Sequence, residues 1–264
     1  MKKSRFALGL LGALAIAGTL LMAGCGSNTQ ADAHKTLRVG TDASYAPFGF
    51  KDEKSQEIAG FDVDLIKAIA KEEGLDVDIQ NLNFDGLLPA LQSDNLDVAI
   101  SDMTISDDRK KSVDFSDPYY VAGSGLVVNK NNADIHSFKD LDGKVIGVSV
   151  GSTGAEVASQ INAKQVRTYN TIADAFLDLQ NGGVDVVIND TPVNEYFVTT
   201  KGKEYAKVVG EDYEPQPLGI AVKKGNSELL AKLNDGLAKI KKNGEYNNIY
   251  KKWFGKDAPA EFTK

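Results

Sequence analysis

A twelve-residue phrase occurs twice in this chain, and the pair constrains the fold more than any other feature. Leu91-Gln92-Ser93-Asp94-Asn95-Leu96-Asp97-Val98-Ala99-Ile100-Ser101-Asp102 aligns without gaps on Leu179-Gln180-Asn181-Gly182-Gly183-Val184-Asp185-Val186-Val187-Ile188-Asn189-Asp190, at an offset of 88 residues. The Leu-Gln and Asp-Val pairs are identical, Ile100 matches Ile188, and Asp102 matches Asp190. Each copy reads as a helix end, a tight turn, a buried strand and a polar strand end. The spacing is too long for a solenoid, whose periods run roughly 20 to 50 residues. It predicts two similar lobes, each built on an open sheet. Ligands of open α/β sheets sit outside the carboxyl ends of the strands. Ser101-Asp102 and Asn189-Asp190 are therefore expected at two sheet mouths facing one another across a cleft.

From Thr36 onward the chain alternates short β-rich runs with amphipathic helices, which is the α/β pattern. Strands are expected at 37–39, 77–79, 98–100, 125–129, 145–150, near Val166, and at 184–188. Asp62 is expected to cap a helix whose Leu65, Ile66 and Ile69 face inward and which Gly74 ends. Further helices are expected at 87–92, from Gly154, at 173–180 and at 228–241. A last amphipathic segment ends in Trp253-Phe254-Gly255.

The first 24 residues read as a leader. A basic start (Lys2, Lys3, Arg5) precedes an uncharged Gly- and Ala-rich run that ends in small residues directly before Cys25, the only cysteine. Leu21-Met22-Ala23-Gly24-Cys25 resembles the bacterial lipobox, with Met22 where Leu is usual. The resemblance implies cleavage before Cys25, a diacylated (palmitate-type) cysteine as the mature N-terminus, and residues 25–35 as a polar tether. The expected location is extracytoplasmic, on the membrane or in a periplasm, held by acyl chains rather than by a spanning helix. The formal charge of −7 becomes more negative once the leader is gone, which disfavours nucleic acid and anionic lipid surfaces.

Polar residues gather just after the expected strands. Thr41-Asp42-Ala43-Ser44-Tyr45 follows the first, and Phe84 lies in the loop after the second. Ser101, Thr104 and Arg109 follow the third, with 106–108 opening a helix. Gly151-Ser152-Thr153-Gly154 joins a strand to a helix, and Asn189 and Asp190 complete the set. Taken singly, each has an ordinary reading. Arg109 belongs to a charged helix face, Asp190 and Ser152-Thr153 are helix caps, and Tyr45 and Phe84 are core aromatics.

The order of phrases along the chain resembles the family 3 extracellular solute-binding proteins, the amino-acid receptors of ABC importers, and within them the glutamine and polar amino-acid branch. The phrases are Gly40-Thr41-Asp42 with Pro47-Phe48, then Gly60-Phe61-Asp62-Val63-Asp64-Leu65, then Ser101-Asp102-Met103-Thr104-Ile105-Ser106 leading to Arg109. Asp114-Phe115-Ser116-Asp117-Pro118-Tyr119-Tyr120, Asp140-Leu141-Asp142-Gly143-Lys144 and Tyr250-Lys251-Lys252-Trp253-Phe254-Gly255 follow.

That resemblance implies a type II periplasmic-binding-protein fold of two α/β lobes. Residues 36–122 with 219–264 would form lobe 1 and 123–218 lobe 2, joined by a two-strand hinge near 120–124 and 214–218. It implies a monomer that captures a polar L-amino acid, glutamine first and a basic one such as arginine or lysine second. The closed form would be delivered to an ABC permease with its ATPase. Arg109 would grip the α-carboxylate through paired charged hydrogen bonds, helped by Ser152 and Thr153. Asp190, with Asn189 beside it, and Thr104 would meet the α-ammonium. Tyr45 and Phe84 would wall the side chain, and Asp42 would meet its tip. Small residues are usual where Asp102 follows Ser101; if Asp102 reaches the cleft, it favours a cationic side chain.

The two histidines, His34 and His136, make neither a metal set nor a catalytic triad, so no metal or cofactor is expected. A dehydratase built on the same fold is the enzymatic alternative; it would need a general acid in the cleft.

Overall fold

The computed structural model describes residues 36–263. The leader, Cys25, the tether and His34 lie outside the described residues.

In chain order the elements begin with β1 (Thr36–Thr41) and three short strands, β2 (Ser44–Tyr45), β3 (Gly49–Lys51) and β4 (Ile58–Ala59). Next come α1 (Phe61–Glu72), β5 (Asp76–Asn81), α2 (Phe84–Gln92), β6 (Val98–Ala99), α3 (Asp107–Lys110), β7 (Val113–Phe115) and β8 (Tyr120–Asn129). They are followed by β9 (Val145–Ser149), α4 (Thr153–Ser159), β10 (Gln165–Tyr169), α5 (Ile172–Gln180), β11 (Val186–Asp190) and α6 (Thr191–Thr199). The chain closes with β12 (Ala206–Leu218), β13 (Ala221–Lys223), α7 (Ser227–Asn243) and α8 (Glu245–Phe254).

Two five-stranded sheets result, in the orders β5-β1-β6-β13-β7 and β10-β9-β11-β8-β12. They are built alike. In each, three parallel strands are followed by an antiparallel pair. The repeated phrase holds the same place in both, and the matched aspartates do the same work. Asp97 Oδ2 accepts the backbone N–H of Arg38 at 2.9 Å, and Asp185 Oδ2 accepts that of Val145 at 2.8 Å. Each therefore pins its strand to the start of the neighbouring one. Side chains alternate across the second sheet: Leu126 and Val128 pack on one face while Val127 packs on the other.

The structure departs from the sequence reading at several elements. Asp62 does not cap α1: the N-cap is Gly60 at φ 144°, and Asp62 is wholly buried. Gly60 is required there, because a Cβ would lie 1.9 Å from the Phe48 carbonyl oxygen. Phe84 is the first residue of α2 rather than part of a loop. The strand expected at 184–188 runs two residues later, Val186–Asp190. The small sheet β2-β3-β4 was not legible as elements, and of β12 only the return strand at 214–218 was expected, not its start at Ala206. Two of the three small-sheet strands are only two residues long, and Pro215 and Pro217 break the strand pattern of β12.

Strands β8 and β12 run side by side from the second sheet to the elements of the first. Ala206 pairs with Asn129 at one end and Leu218 with Tyr120 at the other. Their ladder is interrupted between Val209 and Tyr213 and again before Gln216, with Gly210 at φ 78° and Glu214 at φ 42°. At the first-sheet end the Tyr120 ring stacks on Tyr250 of α8 at 5.7 Å and lies 5.2 Å from Phe254.

Candidate functional site

The carboxyl ends of β1, β6, β9 and β11 converge on one narrow gap. Tyr45, Phe84, Asp102, Arg109, Ser149, Ser152, Thr153 and Asp190 line it. Side chains from its two sides touch there. The Tyr45 hydroxyl donates to Asp190 Oδ2 at 2.9 Å and contacts Asn189 Oδ1. Thr153 Oγ1 donates to Thr104 Oγ1 at 3.0 Å.

Arg109 reaches the gap because α3 is a single turn. Ser106 caps it, accepting the Arg109 N–H at 3.3 Å. Asp107, Asp108 and Lys110 stay at the surface, and only Arg109 turns inward, 7% exposed. The solvated-face reading thus holds for its neighbours and not for Arg109. Its guanidinium donates to the Thr104 carbonyl at 3.0 Å and, from Nη2, to the Gly151 carbonyl at 3.1 Å. It also lies over the Phe84 ring, 5.1 Å from the centroid. Burial pulls its pKa below the ordinary arginine value, opposed by Glu156 and Asp190. A buried guanidinium held by neutral carbonyls alone is a strong anion site, since an ionised acceptor bonds it more tightly.

Two carboxylates face that cation. Asp190 occupies the N-cap position of α6, yet its side chain caps nothing and instead takes the Tyr45 hydroxyl. Asp102 is 3% exposed, and neither of its oxygens accepts a hydrogen bond from a donor. Desolvation, then the charges of Asp190 and Asp62, hold its pKa well above the carboxylate range. Asp190 is raised by desolvation too, but Tyr45, Asp102 and Arg109 pull it back. Burial therefore raises both acids, which titrate as a pair.

Asp42, Ser101, Thr104 and Asn189 are close by but do not line the gap. The Asp42 carboxylate is taken by Ser44, whose N–H and Oγ donate at 2.9 and 2.6 Å. Ser101 Oγ accepts the Asp42 N–H at 2.9 Å, and Asn194 Nδ2 donates to the Asn189 carbonyl at 2.8 Å. Ser152 both caps α4, accepting from the Ala155 N–H at 3.1 Å, and lines the gap.

Sequence reasoning missed three participants. Ser149 lines the gap from the last position of β9, a place the strand-end rule could have flagged. Gly151 contributes a carbonyl, which no side-chain pattern reveals. Asp62 lies beneath the gap, its Oδ2 accepting the Asp102 N–H at 2.7 Å. Burial lifts Asp62 to about 7, against the pull of the Asp102 N–H and Tyr119.

His136 is elsewhere, its ring at 3.0 Å from the Ala133 carbonyl. Among the described residues no group of three or more His, Cys, Asp and Glu is placed to hold a metal ion. No helix among them is long and apolar enough to cross a membrane. A wider groove beside β10 and α5 is open to solvent, and its charges pair internally, Arg167 with Asp178 at 2.9 Å.

Comparison with known proteins gives a consistent result. Residues 37–256 match the bacterial extracellular solute-binding proteins, family 3. The chain is 34% identical to the L-cystine-binding protein TcyJ of Escherichia coli (strain K12), over 94% of this chain and 95% of that one. Two solved structures, ancestral arginine-binding proteins bound to arginine and to glutamine, are each 48% identical and cover 84% of this chain and 99% of theirs. Their TM-scores are 0.80 and 0.79.

Proposed function

Because this chain belongs to the family 3 bacterial extracellular solute-binding proteins, we propose that it is the extracytoplasmic receptor of an ABC amino-acid importer and that its ligand is a basic L-amino acid, arginine first. Asp102 carries the choice. A carboxyl group buried in the cleft without a donor is costly beside a neutral side chain and favourable beside a guanidinium. That reverses the order expected from sequence, which put glutamine ahead.

In this reading Arg109 exchanges its carbonyl partners for the ligand α-carboxylate, with the Ser152 and Thr153 region at the same end. Asp190 takes the α-ammonium with Thr104. Tyr45 and Phe84 hold the side chain between them, and Asp102 meets its cationic head. Residues 36–122 with 219–264 form one lobe and 123–218 the other, hinged on β8 and β12. Closure brings Arg109 and Asp190 onto the ligand together, so ligand favours the closed state. The receptor acts as a monomer, held at the membrane by lipid on Cys25, and presents the amino acid to a permease and its ATPase.

A second reading has one observation in its favour. Burial raises the Asp102–Asp190 pair, and a proton carried on Asp102 would make it a hydrogen-bond donor, which suits the amide oxygen of glutamine. Titration calorimetry with all twenty amino acids across pH separates the two. Arginine binding should release a proton from the Asp102–Asp190 pair and tighten as pH rises; glutamine binding through a proton on that pair should weaken. Asp102→Asn should lower arginine affinity by about thirtyfold, the value of a buried charged pair. No binding across the panel would overturn the receptor reading itself.

A further inference from the structure

We propose that Asp62 is a positioning residue for ligand selectivity: its buried carboxylate holds the Asp102 backbone in the left-handed turn that aims the Asp102 side chain into the cleft. The proposal rests on the reading of Asp102 as the partner of a cationic ligand side chain.

Asp62 stands in the first turn of α1, where an acid ordinarily faces water or caps the helix. Here it is 0% exposed, and its Oδ2 accepts the backbone N–H of Asp102, a residue 40 positions away, at 2.7 Å. Asp102 has φ 48°, the left-handed region that a residue with a Cβ adopts only at an energetic cost. An acceptor on its amide offsets that cost. Without the acceptor, the Asp102 N–H would be buried and unpaired, and the backbone would gain by relaxing toward ordinary φ. Such a rotation would swing the carboxylate out of the cleft. Tyr119, on the segment leading into β8, faces Asp62. Asp62 does not line the gap, so it acts through Asp102 and not on the ligand.

The test measures L-arginine and L-glutamine binding by calorimetry to the wild type, D62A, D62N, D102G and D62A/D102G. D62A should narrow the arginine-over-glutamine preference by about tenfold, the value of a buried hydrogen bond. D62N, whose amide oxygen still accepts the N–H, should retain most of the preference. Glycine adopts φ 48° unaided, so adding D62A to D102G should change the preference no further. An equal effect of D62A with and without Asp102 overturns the proposal, as does an unchanged preference in D62A. If D102G collapses the preference while D62A leaves it intact, only the positioning role falls. If D102G itself has no effect, the reading of Asp102 falls and this proposal with it. Amide exchange keeps the test decisive should D62A fold poorly. The Asp102 amide should be protected in the wild type and exchange about tenfold faster in D62N, a weaker acceptor; free exchange in the wild type overturns the proposal.

Discussion

At the scale of single residues, the site is an arrangement of buried charges that stabilise one another incompletely. Arg109 is held by two carbonyls where a carboxylate would bind it better. Arg109→Lys should therefore weaken amino-acid binding by about a hundredfold, because an ammonium cannot bond two oxygens in one plane; calorimetry reads this directly. Asp62 gives a pH prediction. Its folded value of about 7 lies above the ordinary 3.8, so the folded state holds a proton that the unfolded chain has already lost. Stability should thus fall as pH rises from about 4 to about 7 and level off above, while Asp62→Asn flattens that slope. Chemical denaturation at a series of pH values measures both. From the sequence, Asp62 looked like a helix cap and Arg109, taken singly, like part of a charged helix face. Local pattern sees only near neighbours, and the partners that decide these two lie 40 and 42 positions away.

At the scale of elements, the strand–helix alternation was legible because apolar periodicity and turn residues are local. The repeated phrase was informative because both copies form the same joint, with Asp97 and Asp185 each tying one strand start to the next. The small sheet β2-β3-β4 left no such trace, yet it sets the entry to α1. Gly60 lets β4 turn into that helix against the Phe48 carbonyl. Gly60→Ala should cost about 2–4 kcal/mol, combining an unfavourable φ with a backbone clash, and the loss should appear as a lower melting temperature. A stability unchanged within error would show that the turn has another way to close.

For the whole molecule, elements on either side of the gap also meet outside it. The Phe50 ring of β3 lies 6.4 Å from Tyr196 of α6, and Lys201 pairs with Glu53 at 3.5 Å. In the proposed closure these contacts would favour the closed arrangement without touching the lined gap. Phe50→Ala should therefore raise the Kd of every bound amino acid by a similar factor, about threefold, and leave the order of preference intact. Calorimetry against the ligands that bind the wild type tests this; a changed order would place Phe50 in the site itself. Ligand should also stabilise the protein as a whole, by about 2.7 kcal/mol at a hundredfold excess over Kd.

By itself the sequence determined the α/β alternation, the two similar open sheets implied by the repeat, and the strand ends at which polar residues gather. Each of these follows from periodicity and turn chemistry within a few residues. Only the tertiary structure decided which acids face the gap. Asp42 and Asp102 both follow a strand and are both buried, but Ser44 takes the first carboxylate, whereas Asp62 secures the backbone of the second. The direction of a buried side chain depends on the donors packed around it, and folding brings those donors from distant parts of the chain.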